Sequence, residues 1–292
     1  MADDGRLQQA LGRAAARAAE ILGQPEARVG AAGRLVLPDG RVCEGAVRAD
    51  ETHFPASLVK LFHAVAFLRA VAEGRLVENA EDSRALEALL RLSSNAADQY
   101  LLRRLCPPPP EAEAVPAPAF MAAREGLTEA WLALDPVAYR GLRVSNATIV
   151  DGPFGIEALA REALGRNRVT ARAVLAVMRA IAGEGGLLSP VDAARLQGWM
   201  DRTWARPPCP AAGTAGQVDG FLTRAMPADA AVWSKGGWTE ETRHDAVHAR
   251  FAGGSRLLLV VLVSGRDLWH RDDVLPAFGA EVLAGLDLGE RR

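Results

Sequence analysis

A chain of 292 residues with a formal net charge of -2, 49% hydrophobic and 24% charged residues can bury a proper core, in one large domain or two modest ones. That balance excludes a polybasic nucleic-acid or membrane-surface binder and excludes disorder. Cys43, Cys106 and Cys209 stand in unrelated contexts without a C-x-x-C pair, so free thiols in a reducing compartment are expected, rather than a disulfide framework or a zinc site.

The opening MADDGRLQQALGRAAARAAEILG places acidic residues first and then an amphipathic helix. It lacks the basic and apolar regions of a secretory signal, and the reading is cytoplasmic. The longest apolar run, residues 257–263, is a buried strand by its length and branching, too short for a membrane span. Residues 28–37 and 41–47 read as strands joined by Pro38-Asp39-Gly40, a hairpin. An apolar helix follows over residues 57–72 and ends at Gly74. Residues 83–105 continue as helix, interrupted by Ser93-Ser94-Asn95, a cluster suited to capping the second half.

Four prolines after Cys106 make residues 107–118 an exposed loop. Residues 121–134 are expected to be helical, and residues 139–154 irregular around a strand-like stretch at 147–150. Asn146-Ala147-Thr148 has the form of a glycosylation acceptor, which a cytoplasmic chain does not use. Asn167 and Thr170 precede a helix over residues 171–182, another spans 190–204, and 206–216 is a proline- and glycine-rich loop. Strands are expected at 231–234, 243–251 and 256–264, with a closing helix at 274–286. Strands at both ends with helices between imply one antiparallel sheet assembled from the termini, an α+β fold or α/β sandwich carrying an inserted all-helical subdomain. Residues 1–56 then form the N-terminal helix and hairpin, 57–215 the mostly helical region, and 216–292 the strands and helix that complete the sheet.

The chemistry concentrates in HFPASLVKLFHAVAFLR, residues 53–69. Ser57 and Lys60, three apart in the opening turn of a helix, share one face. A serine at a helix N-terminus has unpaired backbone N–H groups beside it that can hold an oxyanion. A lysine serves as its base only if burial or a neighbouring cation lowers its pKa from ~10.4. Of the 34 Lys+Arg residues only Lys60 and Lys235 are lysines. A sequence that otherwise uses arginine has kept, at these two places, a cation able to lose its proton.

Three marks stand in order: Ser57-x-x-Lys60, Ser93-x-Asn95 and Lys235-Gly236-Gly237 closing a strand. Together, with a helical region between the first and last, they resemble the serine β-lactamase and penicillin-binding-protein superfamily, whose set is S-x-x-K, S-D-N and K-T-G. The resemblance runs over residues 28–286 and is nearest to the class A β-lactamase-like serine hydrolases, with residues 151–171 also resembling D-alanyl-D-alanine carboxypeptidases. It implies a β-lactamase/transpeptidase-like fold with the active site between sheet and helical region. It further implies Ser57 as nucleophile, Lys60 as its base, Ser93 as proton relay to the leaving group, Asn95 as ligand of a substrate amide and Lys235 as an electrostatic aid. Gly237 and Trp238 would line the substrate strand, with the N–H groups of Ser57 and Trp238 as oxyanion hole. Arg243 would meet an anionic group, or else form a surface ion pair on an edge strand.

Three departures narrow the expectation. Ser94 replaces the usual aspartate, which predicts looser packing there. Gly236 replaces a hydroxyl that helps bind a substrate carboxylate, which argues against penicillins as natural substrates. No E-x-x-L-N occurs between Met121 and Asn167, leaving Glu157 and Glu162 as the nearest acids, both on what reads as an ordinary amphipathic helix. The histidines offer no Ser–His pairing: His63 lies on a different helix face from Ser57, and His244 and His248 share a strand face without a third metal ligand. Trp233 and Trp238 bracket Lys235 as an apolar wall. The expected protein is a serine hydrolase forming an acyl-enzyme on Ser57 and acting on a small ester or amide, without cofactor, metal, nucleic acid or membrane, as a monomer or small homo-oligomer. A true β-lactamase or D,D-peptidase, an acyltransferase, and a catalytically silent binding scaffold are the alternatives.

Overall fold

The computed structural model describes residues 5–109, 118–149, 151–203 and 217–288. Five strands among them, β1 (Arg28–Val36), β2 (Val42–Val47), β3 (Ala231–Trp238), β4 (Thr242–Arg250) and β5 (Arg256–Ser264), form one antiparallel sheet in the order β2-β1-β5-β4-β3. The two ends of the chain therefore meet in the middle of the sheet, where β1 pairs β5 along its whole length from Arg28↔Ser264 to Val36↔Arg256. The central strand β5 reads RLLLVVLVS without polar alternation, because both of its faces are covered. Leu258, Val260 and Leu262 enter one apolar core, and Leu257, Leu259, Val261 and Val263 enter another.

Nine helices are described: α1 (Arg6–Leu22), α2 (Val59–Ala72), α3 (Ala80–Arg91), α4 (Asn95–Leu105), α5 (Pro118–Leu134), α6 (Gly155–Leu164), α7 (Ala171–Ile181), α8 (Pro190–Met200) and α9 (Val274–Gly285). Helices α1 and α9 cover one sheet face, α1 through Leu7, Ala10, Leu11, Ala14 and Ala18 at helical spacing. The opposite face meets α7, and behind it α2 is buried almost all round, from Val59 to Ala70. Its lack of an amphipathic pattern is the mark of a central helix. Sequence sets the helix ends locally: Asn79 and Asp82 make a capping box on α3, Ser94 caps α4 through the Ala97 N–H, Thr170 caps α7, and Ser189 before Pro190 starts α8.

The hairpin, the sheet built from both ends and the helical insertion agree with the sequence-based expectation. Several local readings change. The strand-like stretch at 147–149 is not a strand, because Thr148 is tied to Asp98 by its N–H (2.7 Å) and hydroxyl (2.9 Å). The helix begun at Pro190 stops at Met200, where the chain turns to bridge β3 through Asp201↔Trp233 and the Arg202 N–H on the Val232 carbonyl. Lys235-Gly236-Gly237 does not close β3, which runs on to Trp238. Residues 110–117 of the proline-rich loop, the loop at 206–216, Cys209 and Trp204 lie outside the described residues. No helix among those described is long and apolar enough to cross a membrane.

The edge strand β2 is held by α1 through an unusual contact: the Gln8 amide bonds both the N–H and the carbonyl of Ala46, at 2.9 and 3.0 Å. Gly45 permits it, since a Cβ there would lie 2.9 Å from the Gln8 nitrogen and 3.0 Å from its Cα. Gly45→Ala is expected to lower stability by about 1–3 kcal/mol in denaturant unfolding, the usual cost of overpacking.

Candidate active site

The site begins with a strained turn. His53 is bridged to Val169, Pro55 follows, Ala56 takes φ +46, and Ser57 sits in a short 3-10 turn, Ala56–Leu58, running into α2. A left-handed alanine costs of order 1–2 kcal/mol and persists only where its surroundings hold it. Here β3 does so: a Cβ on Gly237 would stand 2.9 Å from the Ser57 nitrogen, 3.1 Å from the Pro55 carbonyl oxygen and 3.2 Å from the Leu58 nitrogen. Glycine lets the two backbones touch. Because β3 is the sheet edge and the Thr239 N–H donates inward to Thr242, strand alternation turns the Trp238 N–H outward, to the side of Ser57.

Behind the turn, His244 fixes the Phe54 carbonyl. Its Nδ1 accepts the Val263 N–H (3.0 Å), so its Nε2 donates to Phe54 O (2.8 Å) and the ring is a defined neutral tautomer. Burial depresses the pKa of His244 to about 4 and that of His53 beside it to about 3. His53 meets the Ser264 hydroxyl at 2.8 Å, and His248 stacks on Trp233 with ring centroids 4.9 Å apart. No group of three metal-ligating side chains occurs among the described residues.

One turn along α2, Lys60 is fully buried and its Nζ faces four oxygens: Ser57 Oγ at 3.1 Å, Ser93 O at 2.6 Å, Ser93 Oγ at 3.2 Å and Asn95 Oδ1 at 2.6 Å. Burial lowers its pKa to about 8, against a smaller opposing pull from Asp98. Ser93, at φ +59, presents both its carbonyl and its hydroxyl to this cluster. The same hydroxyl lies 2.8 Å from Lys235 Nζ, which also bonds the Gln217 amide oxygen (3.2 Å) and the Gly236 carbonyl (2.7 Å). Burial first, then the Lys60 and Arg202 charges, hold the Lys235 amine well below its ordinary range. A chain of exchangeable groups thus runs Ser57–Lys60–Ser93–Lys235.

The structure therefore brings Ser57, Lys60, Ser93, Asn95 and Lys235 together, with Trp238 on the cavity wall and Gly237 packed against the backbone of the Ser57 turn. Arg243 is not brought there. Its guanidinium is buried against the Gly220 and Trp269 carbonyls (3.1 and 3.2 Å) and Asp272, over the Phe221 ring, on a strand inside the sheet rather than at its edge. Gly236 has a physical reason: a Cβ would lie 2.7 Å from the Phe221 ring. Glu157 is bound to the buried Arg124, Glu162 is exposed, and neither lines the cavity.

Other participants carried no sequence signal. Gln217 ties Lys235 to the Arg91 carbonyl, and the buried Arg202 donates to Leu90 O (2.7 Å). Asp98 is the buried carboxylate behind Lys60. Burial works to raise its pKa, but His63 (2.7 Å), the Lys60 charge and Thr148 outweigh it and hold the group ionised. It lies one turn beyond Ser94, so the packing expected to loosen there is supplied from the next turn of α4. Asn146 and Asn167 clasp each other, with Asn146 N on Asn167 Oδ1 (3.0 Å) and Asn167 Nδ2 on Asn146 O (2.6 Å), closing a loop over residues 146–167 that carries α6. The cavity between this loop and β3 has a volume of about 170 Å³ and is lined by Ser57, Asn95, Asn146, Thr148, Arg161, Arg166 and Trp238, among others.

This fold is that of the class A β-lactamases. A variant of the reconstructed last common ancestor of the Gram-negative class A enzymes superposes with TM-score 0.63 at 21% identity over 98% of this chain and 100% of that one. A β-lactamase from Xanthomonas campestris pv. campestris gives 0.64 at 22% identity over 95% and 98%, and one from Desulfarculus baarsii 0.63 at 23% over 94% and 98%. The sequence model of the Beta-lactamase enzyme family matches residues 134–281, and the chain belongs to that family, as a β-lactamase-like serine hydrolase. No curated protein matches its sequence.

Gly237→Ala is expected to displace the Ser57 turn, slowing labelling of Ser57 by a fluorophosphonate about 10- to 100-fold and lowering stability by about 1–3 kcal/mol in denaturant unfolding.

Proposed function

We propose that the protein hydrolyses a small ester or amide through an acyl-enzyme on Ser57. In this reading neutral Lys60 takes the Ser57 proton as Oγ attacks the carbonyl, and the oxyanion rests on the N–H groups of Ser57 and Trp238. The proton leaves by way of Ser93 to the departing group, with Lys235 keeping the relay poised. Asn95 holds both Lys60 and the substrate amide, and water then clears the acyl group. The observation that carries the reading is Lys60 itself: fully buried, 3.1 Å from Ser57 Oγ, with a pKa of about 8.

Among the described residues no Asp or Glu lines the cavity, so Lys60 is the base nearest Ser57 for the deacylating water as well. Esters, whose leaving groups depart and open the site, suit such a centre better than β-lactams, whose leaving group stays attached to the acyl-enzyme. Hydrolysis of a β-lactam is the second reading, and family membership favours it.

Intact-mass spectrometry with a penicillin and stopped-flow turnover of an activated ester separate the two. The expected result is a lasting penicillin adduct and sustained ester turnover, both absent from Ser57→Ala; full ester turnover by Ser57→Ala would sink the proposal. Because the neutral amine is the active form, kcat/KM for the ester should rise about tenfold per pH unit below about 8 and level off above it. Lys60→Arg should be as inactive as Lys60→Ala, down about 10³-fold or more, since arginine does not give up its proton.

A further inference from the structure

The cavity is walled on one side by the loop over residues 146–167, and that wall is positive. Arg161 and Arg166 both line it together with Asn146, Thr148 and Asn167, and no carboxylate lines it among the described residues. Several arginines elsewhere are neutralised by a carboxylate: Arg124 by Glu157, Arg172 by Asp50, Arg195 by Glu78, Arg243 by Asp272. Arg161 and Arg166 have no acidic partner among the described residues. The Arg166 guanidinium lies over the Phe54 ring, 4.5 Å from its centroid, a contact that holds the group without neutralising it. A third cation, Arg143, packs against Gly165 under the same loop, its own pKa lowered by burial and by Arg168. Two unneutralised guanidinium groups in a small cleft focus a positive potential there, and the donor fork of a guanidinium suits a carboxylate or phosphate.

A second observation comes from Asn146. Its amide nitrogen is committed to Gly165 O (2.8 Å) and Asn167 Oδ1 (3.3 Å), which fixes the orientation of the amide. Its Oδ1 is buried without a partner, on a residue that lines the cavity. A buried carbonyl left unpaired costs ~1–3 kcal/mol unless a donor reaches it, and an amide N–H of a ligand is such a donor.

We infer that the substrate carries, apart from its reacting carbonyl, an oxyanionic group, a carboxylate or a phosphate, held by Arg161 and Arg166, with a neighbouring N–H donated to Asn146. The charge thus sits against the loop wall and not at Lys235-Gly236, where Phe221 leaves no room for a hydroxyl donor. From the acyl-enzyme reading this takes only that the substrate occupies the cavity beside Ser57.

The test is calorimetric binding to Ser57→Ala of three anilides of similar size: succinanilate, its phosphonate counterpart and the neutral N-phenylsuccinamide. At least one anion should bind about tenfold tighter than the neutral amide or better, and the tighter of the two identifies the oxyanion. The preference should shrink to below about twofold in Arg161→Gln/Arg166→Gln, and should weaken in the unsubstituted loop when salt is raised from about 0.05 to about 0.5 M. Equal binding of charged and neutral anilides, binding of none of them, or a preference that survives the double substitution would overturn the inference. Ester turnover is measured separately: an anion preference without Ser57-dependent turnover would remove the acyl-enzyme reading and leave the anion site standing.

Discussion

Two ammonium groups share one hydroxyl. Lys60 and Lys235 both reach Ser93 Oγ, at 3.2 and 2.8 Å, inside a protein that exposes neither. Desolvation and mutual repulsion act against the charged forms, and the arrangement stands only because surrounding oxygens solvate what water does not. For Lys60 the lowering from 10.5 to about 8 corresponds to about 3 kcal/mol of folding free energy. Its sign follows from linkage: the unfolded chain keeps the proton to higher pH, so the loss is full below about 8 and fades as pH rises towards 10.5. The doubly covered sheet and the central helix α2 offset that cost, and the reward is an amine next to a serine that can accept a proton near neutral pH.

From this constraint much else follows. Ser93 must take a left-handed conformation to aim both of its oxygens, Asn95 must open α4, and Gly236 and Gly237 must be bare so that β3 can press against the Ser57 turn and Phe221. His53 and His244 are drawn in as neutral supports. His244 in one tautomer locks the Phe54 carbonyl just ahead of the turn, and among the described residues the side-chain partner of Ser57 Oγ is Lys60, not a histidine.

What was legible in the sequence was whatever is encoded locally. Pro38-Asp39-Gly40 specified a hairpin, the unbroken apolar run at 257–263 specified a strand covered on both faces, and the rarity of lysine marked the two amines before any contact was known. Spacing alone placed Ser57 beside Lys60. What stayed hidden depends on distant chain: Arg243 has the composition of an anion site, yet Gly220 and Asp272 arrive from other elements to occupy it. Thr148 and Ile149 have β-branched side chains that favour a strand, but the Asp98 carboxylate takes the Thr148 N–H that a strand would need. Gln217, Arg202 and Asp98 sit in no motif, because each is selected by what it faces in the fold, and nothing in its own sequence neighbourhood records that. The Asn146–Asn167 clasp is of the same kind, twenty-one residues apart along the chain and apparent only as a pair.

The scarcity of lysine also makes the central claim directly measurable. With ¹⁵N-lysine labelling the side-chain Nζ spectrum contains two signals, Lys60 and Lys235, assigned by Lys235→Arg and followed from pH 5 to 11. The account predicts that Lys60 titrates near 8 and that Lys235 also titrates below the ordinary ~10.4. Two signals that both titrate near 10.4 would mean ordinary ammonium groups, and the Ser57–Lys60 mechanism would fall with them.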